Sequence, residues 1–162
     1  MTSHASSALR FLGYLLTGRV HLPRAPIGER VVNKDGRECV VVKYGFVDAL
    51  ASQPAVPGAT FLVRFHLAHM SKAANERFLN LPIPFFMGLP GFRSKYWLYD
   101  EETGDFQGRY QWDTVADAER YTNSLAVRFM TWRSVPGSVS FEIQPSTEDA
   151  HPDDAHVSGT PV

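Results

Sequence analysis

One cysteine, Cys39, stands among 162 residues, so no disulfide can form within the chain. That usage suits a reducing compartment, and the cytoplasm is the expected location. Cys39 opens the apolar run Cys39-Val40-Val41-Val42, where a thiol is expected to be buried and inert rather than nucleophilic. Charge of one sign is also lacking. The net charge is −1, with none of the basic surplus that a nucleic-acid-binding face needs. Long apolar runs are missing as well. A membrane span takes about 20 apolar residues, whereas the stretch from Ala8 to Leu16 is short and interrupted by Arg10. Neither a cationic start nor a small-residue cleavage site marks it as a signal peptide. It reads instead as an amphipathic helix able to dock on the protein, on a partner or on a membrane surface. No Ser-His-Asp arrangement, phosphate-cradling glycine loop or dinucleotide fingerprint occurs.

What is present is an ordinary globular composition, 44% apolar and 20% charged, enough for a packed core. Residues 1–58 form an N-terminal extension: a short helix over 7–17 ending at Gly18, a linker broken by Pro23 and Pro26, and a β-hairpin turning at Asn33-Lys34-Asp35-Gly36. The turn-rich segment from Ser52 to Gly58 marks a boundary. The domain proper covers 59–145. It starts with a strand from Thr60 to His66, then a helix from Lys72 to about Leu81 capped by Ser71. An apolar stretch from Ile83 to Leu89 must then lie against the body of the protein. Strands over 92–100 and 105–112 flank a turn at Glu101-Glu102-Thr103-Gly104, where Gly104 supplies the positive φ. A helix capped by Asp113 or Thr114 runs through Tyr121 and continues or restarts over Leu125 to Arg133. A last strand over 138–144 follows the turn Pro136-Gly137. Residues 146–162 read as a disordered acidic tail, whose His151 and His156 are solvated rather than metal-binding.

Strand, helix, strand, strand, helix, strand is the ferredoxin-like split β-α-β order, an α+β sandwich with both helices on one face of an antiparallel sheet. The period of two divides the strands into two sets. Phe61, Val63, Phe65, Phe106, Tyr110, Trp112, Val139, Phe141 and Ile143 form an apolar set that should face the helices. Leu62, Arg64, His66, Gln107, Arg109, Gln111, Ser140 and Glu142 face solvent or a wet subunit interface, with Arg64 or Arg109 pairing Glu142 across strands.

The runs Gly91-Phe92-Arg93-Ser94-Lys95-Tyr96-Trp97-Leu98, Glu101-Glu102-Thr103-Gly104 and Gly108-Arg109-Tyr110-Gln111-Trp112, followed by Ala116-Asp117-Ala118-Glu119-Arg120-Tyr121, carry a family resemblance. Over about residues 59–145 the chain resembles the YdhR-type mono-oxygenase family of the dimeric α+β barrel superfamily, to which the antibiotic-biosynthesis monooxygenases are related. The resemblance implies a homodimer, with the mixed sheet face turned to the twin subunit, and a small hydrophobic pocket between sheet and helices. In some relatives it implies cofactor-independent oxidation of aromatic polyketides. The first 58 residues and the apolar stretch around Phe85 and Phe86 lie outside it.

The expected site follows from these readings. His66, titrating near neutrality, is the candidate general base. Asn75 is the candidate carbonyl anchor, and Tyr110, a phenol on the core face that needs a partner, the hydrogen-bond donor. Trp97, Trp112, Phe85 and Phe86 are candidate walls of a pocket for a small hydrophobic or aromatic ligand. Trp132 belongs to the same aromatic set, and Arg109 would hold an anionic substrate. Core packing is the plain alternative for each aromatic residue. His66 and His69 are three apart but lack a third ligand, so no metal is expected. Two readings stay open. One is a cofactor-independent mono-oxygenase or related small-molecule enzyme. The other is a non-catalytic dimeric binding module for a hydrophobic ligand or for haem, with His66 or His69 as the axial ligand.

Overall fold

Wherever apolar and polar residues alternate along this chain, the backbone is extended and paired. Among the described residues, seven strands join in one antiparallel sheet. The computed structural model describes residues 4–33, 35–68, 74 and 83–146, with His4, Ala5 and Phe85 by backbone alone. The elements are α1 (His4–Leu16), β1 (Val20–His21), β2 (Arg30–Val32), β3 (Glu38–Val47), β4 (Ala59–Phe65), α2 (Ile83–Met87), β5 (Phe92–Tyr99), β6 (Phe106–Trp112), α3 (Val115–Thr122), α4 (Leu125–Arg133) and β7 (Ser140–Pro145). The helix expected from Lys72 to about Leu81 lies outside the described residues apart from Ala74, which is helical.

The central strands run in the order β5-β6-β4-β7, as the split β-α-β pattern requires. The N-terminal segment extends this sheet. β3 pairs with the free edge of β5, Val40 opposite Tyr99 through Phe46 opposite Ser94, and β1 and β2 both pair with β3. A strand edge with unpaired amides is thereby covered.

Register sets the faces. Phe61 lies opposite Tyr110 on one side and Ile143 on the other, and Val63 lies opposite Gly108 and Phe141. Phe61, Val63, Phe106, Tyr110 and Trp112 are buried beneath α2, α3 and α4. Phe141 belongs to this face and its ring lies 5.9 Å from that of Phe61, but on the edge strand it stays 57% exposed. The expected pairing of Arg64 or Arg109 with Glu142 does not form. Arg109 and Glu142 both oppose Leu62, on strands either side of β4, which leaves a full strand between them. Arg64 pairs instead with Asp35 at 3.6 Å, and Glu142 accepts from Gln144 Nε2 at 2.9 Å.

Past Tyr121 the chain restarts rather than continues its helix, which gives α3 and α4. Thr114 caps α3 by accepting from the Asp117 amide at 3.1 Å, and Ser124 restarts the chain as α4 by accepting from the Val127 amide at 3.4 Å. Proline is tolerated in α2 because Pro84 stands in the first turn, where its amide has no helical acceptor. That short helix drives Ile83, Phe86 and Met87 into the core.

α1 rests on the end of α2 through Gly88. Arg10 donates to the Gly88 carbonyl at 2.9 Å, and a Cβ added at Gly88 would overlap the carbonyl oxygen of Ser7. Gly88→Ala is therefore expected to displace α1 and to cost about 1–3 kcal/mol in urea unfolding. Proteolysis should then cut within residues 1–20 first. An unchanged unfolding midpoint and protease map would show that α1 does not depend on this approach.

Candidate functional site

Lys95 lies on the helix-facing side of the sheet because β5 places it directly opposite Tyr110. Two residues on, Trp97 lies opposite Gly108, whose missing side chain leaves room for the Tyr110 ring and Val63. A Cβ at Gly108 would come within 2.6 Å of the Tyr110 ring and 3.1 Å of Val63. Phe86 descends from α2 onto the same spot, its ring 5.7 Å from Trp97 and 5.9 Å from Tyr110. The result is a three-sided aromatic box around an amine. Lys95 Nζ stands 4.3 Å from the centroid of Trp97, 4.3 Å from Tyr110 and 4.6 Å from Phe86.

The box opens on a cavity of about 80 Å³ between sheet and helices. α4 forms its outer wall with Ala126, Phe129, Met130 and Arg133, and α3 adds Tyr121. The Tyr121 hydroxyl donates to the Tyr110 hydroxyl at 2.9 Å, so Tyr110 keeps its own hydrogen for another acceptor. An apolar hollow with a few convergent polar groups is the common form of a small-molecule site. Here the Lys95 amine and the Tyr110 and Tyr121 phenols are joined by Gln107 and Arg133 in the lining.

No family model and no curated protein matches the chain. Solved structures do. An uncharacterised ferredoxin-fold protein from Listeria monocytogenes, related to antibiotic biosynthesis monooxygenases, superposes with a TM-score of 0.54 at 12% identity, over 80% of this chain and 93% of that one. A monooxygenase-like protein from Listeria innocua gives 0.53 at 13% identity, over 80% and 92%. The chain has a ferredoxin-like α+β fold. The likeness is one of backbone architecture.

On this ferredoxin-like sheet the expected site residues separate. Trp97, Tyr110 and Phe86 meet in the box. Trp112 is fully buried one step further along β6, against Phe92 and Tyr121, and does not line the cavity. Its indole N–H is buried with no acceptor among the described residues. Arg109 neighbours Tyr110 in sequence and so points to the opposite face. There it lines an open groove of about 550 Å³ with Arg64, Leu62 and Glu142. Trp132 is 79% exposed on α4 and takes no part. His66 stands past the end of β4, half-exposed, with Nδ1 2.9 Å from Asp105 Oδ1. Its neighbours Phe65 and Leu67 reach the cavity wall; His66 does not. Phe85 lies in α2, described by backbone alone. Asn75 and His69 lie outside the described residues. No cluster of three potential metal ligands occurs among the described residues.

Lys95 and Tyr121 were not singled out from the sequence. Lys95 shares strand parity with Trp97, but so does Arg93, and β5 is buried on both faces, so parity did not single it out. Tyr121 follows Asp117 by one helical turn and so shares the buried stripe of α3.

Electrostatics gives these groups unusual character. Burial pushes the Lys95 amine well below the ordinary lysine value, and the positive charge of Lys43 pushes the same way. Lys43 comes from β3, opposite Trp97, with Nζ 5.8 Å from that ring, and burial lowers it too. The ring faces favour the charged amine and offset part of the effect on Lys95. Burial, then Tyr121, raises the Tyr110 hydroxyl well above its usual value, and burial raises Tyr121. Both phenols therefore stay protonated at neutral pH and act as donors.

A lowered lysine value means that the folded chain binds fewer protons at this amine than the unfolded chain does. Stability then rises with pH, from the folded-state value up to the ordinary 10.5. Lys95→Met removes the penalty. It should stabilise the protein near pH 7 by on the order of 1–4 kcal/mol, the advantage shrinking as pH approaches 10.5. Urea unfolding across pH measures this. A variant less stable than the native chain at pH 7 would show that the amine contributes more by its ring contacts than its burial costs.

Proposed function

We propose that the chain is a cofactor-independent mono-oxygenase, or a related small-molecule enzyme, acting on an aromatic phenol or enol of polyketide type in the cavity between sheet and helices. The observation that carries this reading is the convergence of Lys95, Tyr110 and Tyr121 on one apolar hollow. A substrate phenol or enol there would pass its proton to the desolvated Lys95 amine and accept from a phenolic donor away from water, which favours the electron-rich anion that reacts with oxygen. In this reading Trp97 and Phe86 stack on the ring, and orientation and desolvation are the protein's contributions.

Size adds a condition. Drug-sized ligands occupy roughly 300–1,000 Å³, against about 80 Å³ here. A ring system is admitted only when α4 moves outward. That helix is the outer wall, with Leu125, Phe129 and Trp132 exposed along it.

The test is oxygen uptake by the purified protein with a panel of electron-rich phenols and anthrone-type enols, with no metal or flavin added. Turnover is expected for at least one. Tyr110→Phe should lower it by roughly 10²-fold, as loss of a positioned proton donor does. No uptake above the uncatalysed rate across the panel would set this reading aside in favour of a binding module.

We propose further that two copies pair through the mixed sheet face, whose concave surface carries Arg64, Arg109, Glu142 and Gln144 around Leu62. The resemblance of residues 59–145 to the dimeric α+β barrel superfamily supports this, as does the charge of both signs in the groove. Sedimentation velocity should show a dimer, and Leu62→Asp a monomer; a monomeric native chain would overturn it. The single thiol, buried at Cys39, fits a cytoplasmic protein.

The binding-module reading draws support from α1, which presents Leu9, Leu12, Leu15 and Leu16 outward. An apolar stripe of this kind suits docking. No described helix is long and apolar enough to cross a membrane.

A further inference from the structure

We propose that the cavity is a carbonyl-binding site in which a small aldehyde or ketone condenses with Lys95 to form an imine. The proposal uses the same cavity as the oxidative reading but needs no oxygen chemistry, so either can fail without the other.

Three features converge on it. The first is position. Lys95 is 6% exposed, yet its amine borders the hollow, with no hydrogen-bond or ion-pair partner among the described residues. Among the described residues only ring faces surround the amine, which leaves it available to a ligand.

The second is the arrangement of charge. Lys43 and Lys95 both lie over Trp97, at 5.8 and 4.3 Å from its centroid. Two amines near one ring, in apolar surroundings, disfavour double protonation. A desolvated lysine beside a second cation is an activated nucleophile. Lys43 belongs to β3, so the N-terminal segment supplies this neighbour to the site.

The third is size and acid chemistry. A cavity of about 80 Å³ is roughly half the 150 Å³ that accommodates benzene. It suits a carbonyl compound of a few heavy atoms with no movement of α4. Tyr110, directly opposite Lys95 in the register, offers a phenolic proton, and Tyr121 supports it through the 2.9 Å bond.

The step balances without a co-reactant. The amine lone pair attacks the carbonyl carbon, the C–N bond forms, and the C=O π pair moves to oxygen. Tyr110 gives that oxygen its proton and recovers one from nitrogen, which yields the carbinolamine. A second such transfer protonates the hydroxyl, which leaves as water while nitrogen loses its other proton. The products are an imine and one water, with no net oxidation and Tyr110 restored.

The experiment is reductive trapping under nitrogen. The full chain is incubated at pH 7 with propanal and cyanoborohydride, digested and mapped by mass spectrometry. The expected result is propylation of Lys95 at least about tenfold faster than at Lys34, Lys43 or Lys72, the preference vanishing in denaturant. Lys95→Met, checked for its fold by circular dichroism, should lose the fast adduct and keep the slow ones. Adducts spread evenly over the four lysines would overturn the proposal. So would an absence of adduct at Lys95, or a preference that survives unfolding. Because oxygen is excluded, a negative result speaks only to imine formation.

Discussion

The pairing of β5 with β6 governs this molecule. It sets Lys95 against Tyr110 and Trp97 against Gly108 in one stroke. Slip β5 by one residue and Lys95 would turn to the outer face while Tyr96 turned inward against Tyr110. Everything above the sheet is fitted to this choice. Phe86 comes down from α2 to close the box, and Tyr121 comes from α3 to engage the Tyr110 hydroxyl. Beyond β5, β3 adds Lys43 to the far side of Trp97.

The two sides of the sheet carry different physics. On the helix side, polar groups are few, and desolvation moves each of them from its usual state: the amine toward neutrality, the phenols away from ionisation. On the other side, Arg64, Arg109 and Glu142 line a wide, open groove. A buried amine with no counter-ion is costly for a fold to keep. Three aromatic faces offset part of that cost at Lys95.

Much of the fold was legible in the sequence because it rests on short-range pattern. Phe61, Val63, Tyr110 and Trp112 alternate with polar residues and are buried, and Gly104 takes φ 75° at the expected turn. Of the two cap candidates Asp113 and Thr114, Thr114 caps α3. The joining of β3 to β5 was not legible, since it links residues about fifty apart through pairing that no local pattern encodes. The site was read in part. Trp97, Tyr110 and Phe86 do converge. Arg109 could not join them, because adjacent residues on a strand face opposite ways, and His66 falls just past the strand end, where Asp105 holds it. Lys95 escaped notice because β5 is buried on both faces, so that a lysine in it breaks no alternation.

The account depends on the Lys95 amine being desolvated inside its aromatic box while still bordering the cavity. Titration of its side chain by the ¹³Cε chemical shift, assigned by comparison with Lys95→Met, tests that most directly. The account predicts a midpoint well below 10.5 that rises when Lys43 is replaced by methionine. A midpoint at or above 10.5, unmoved by that replacement, would contradict it.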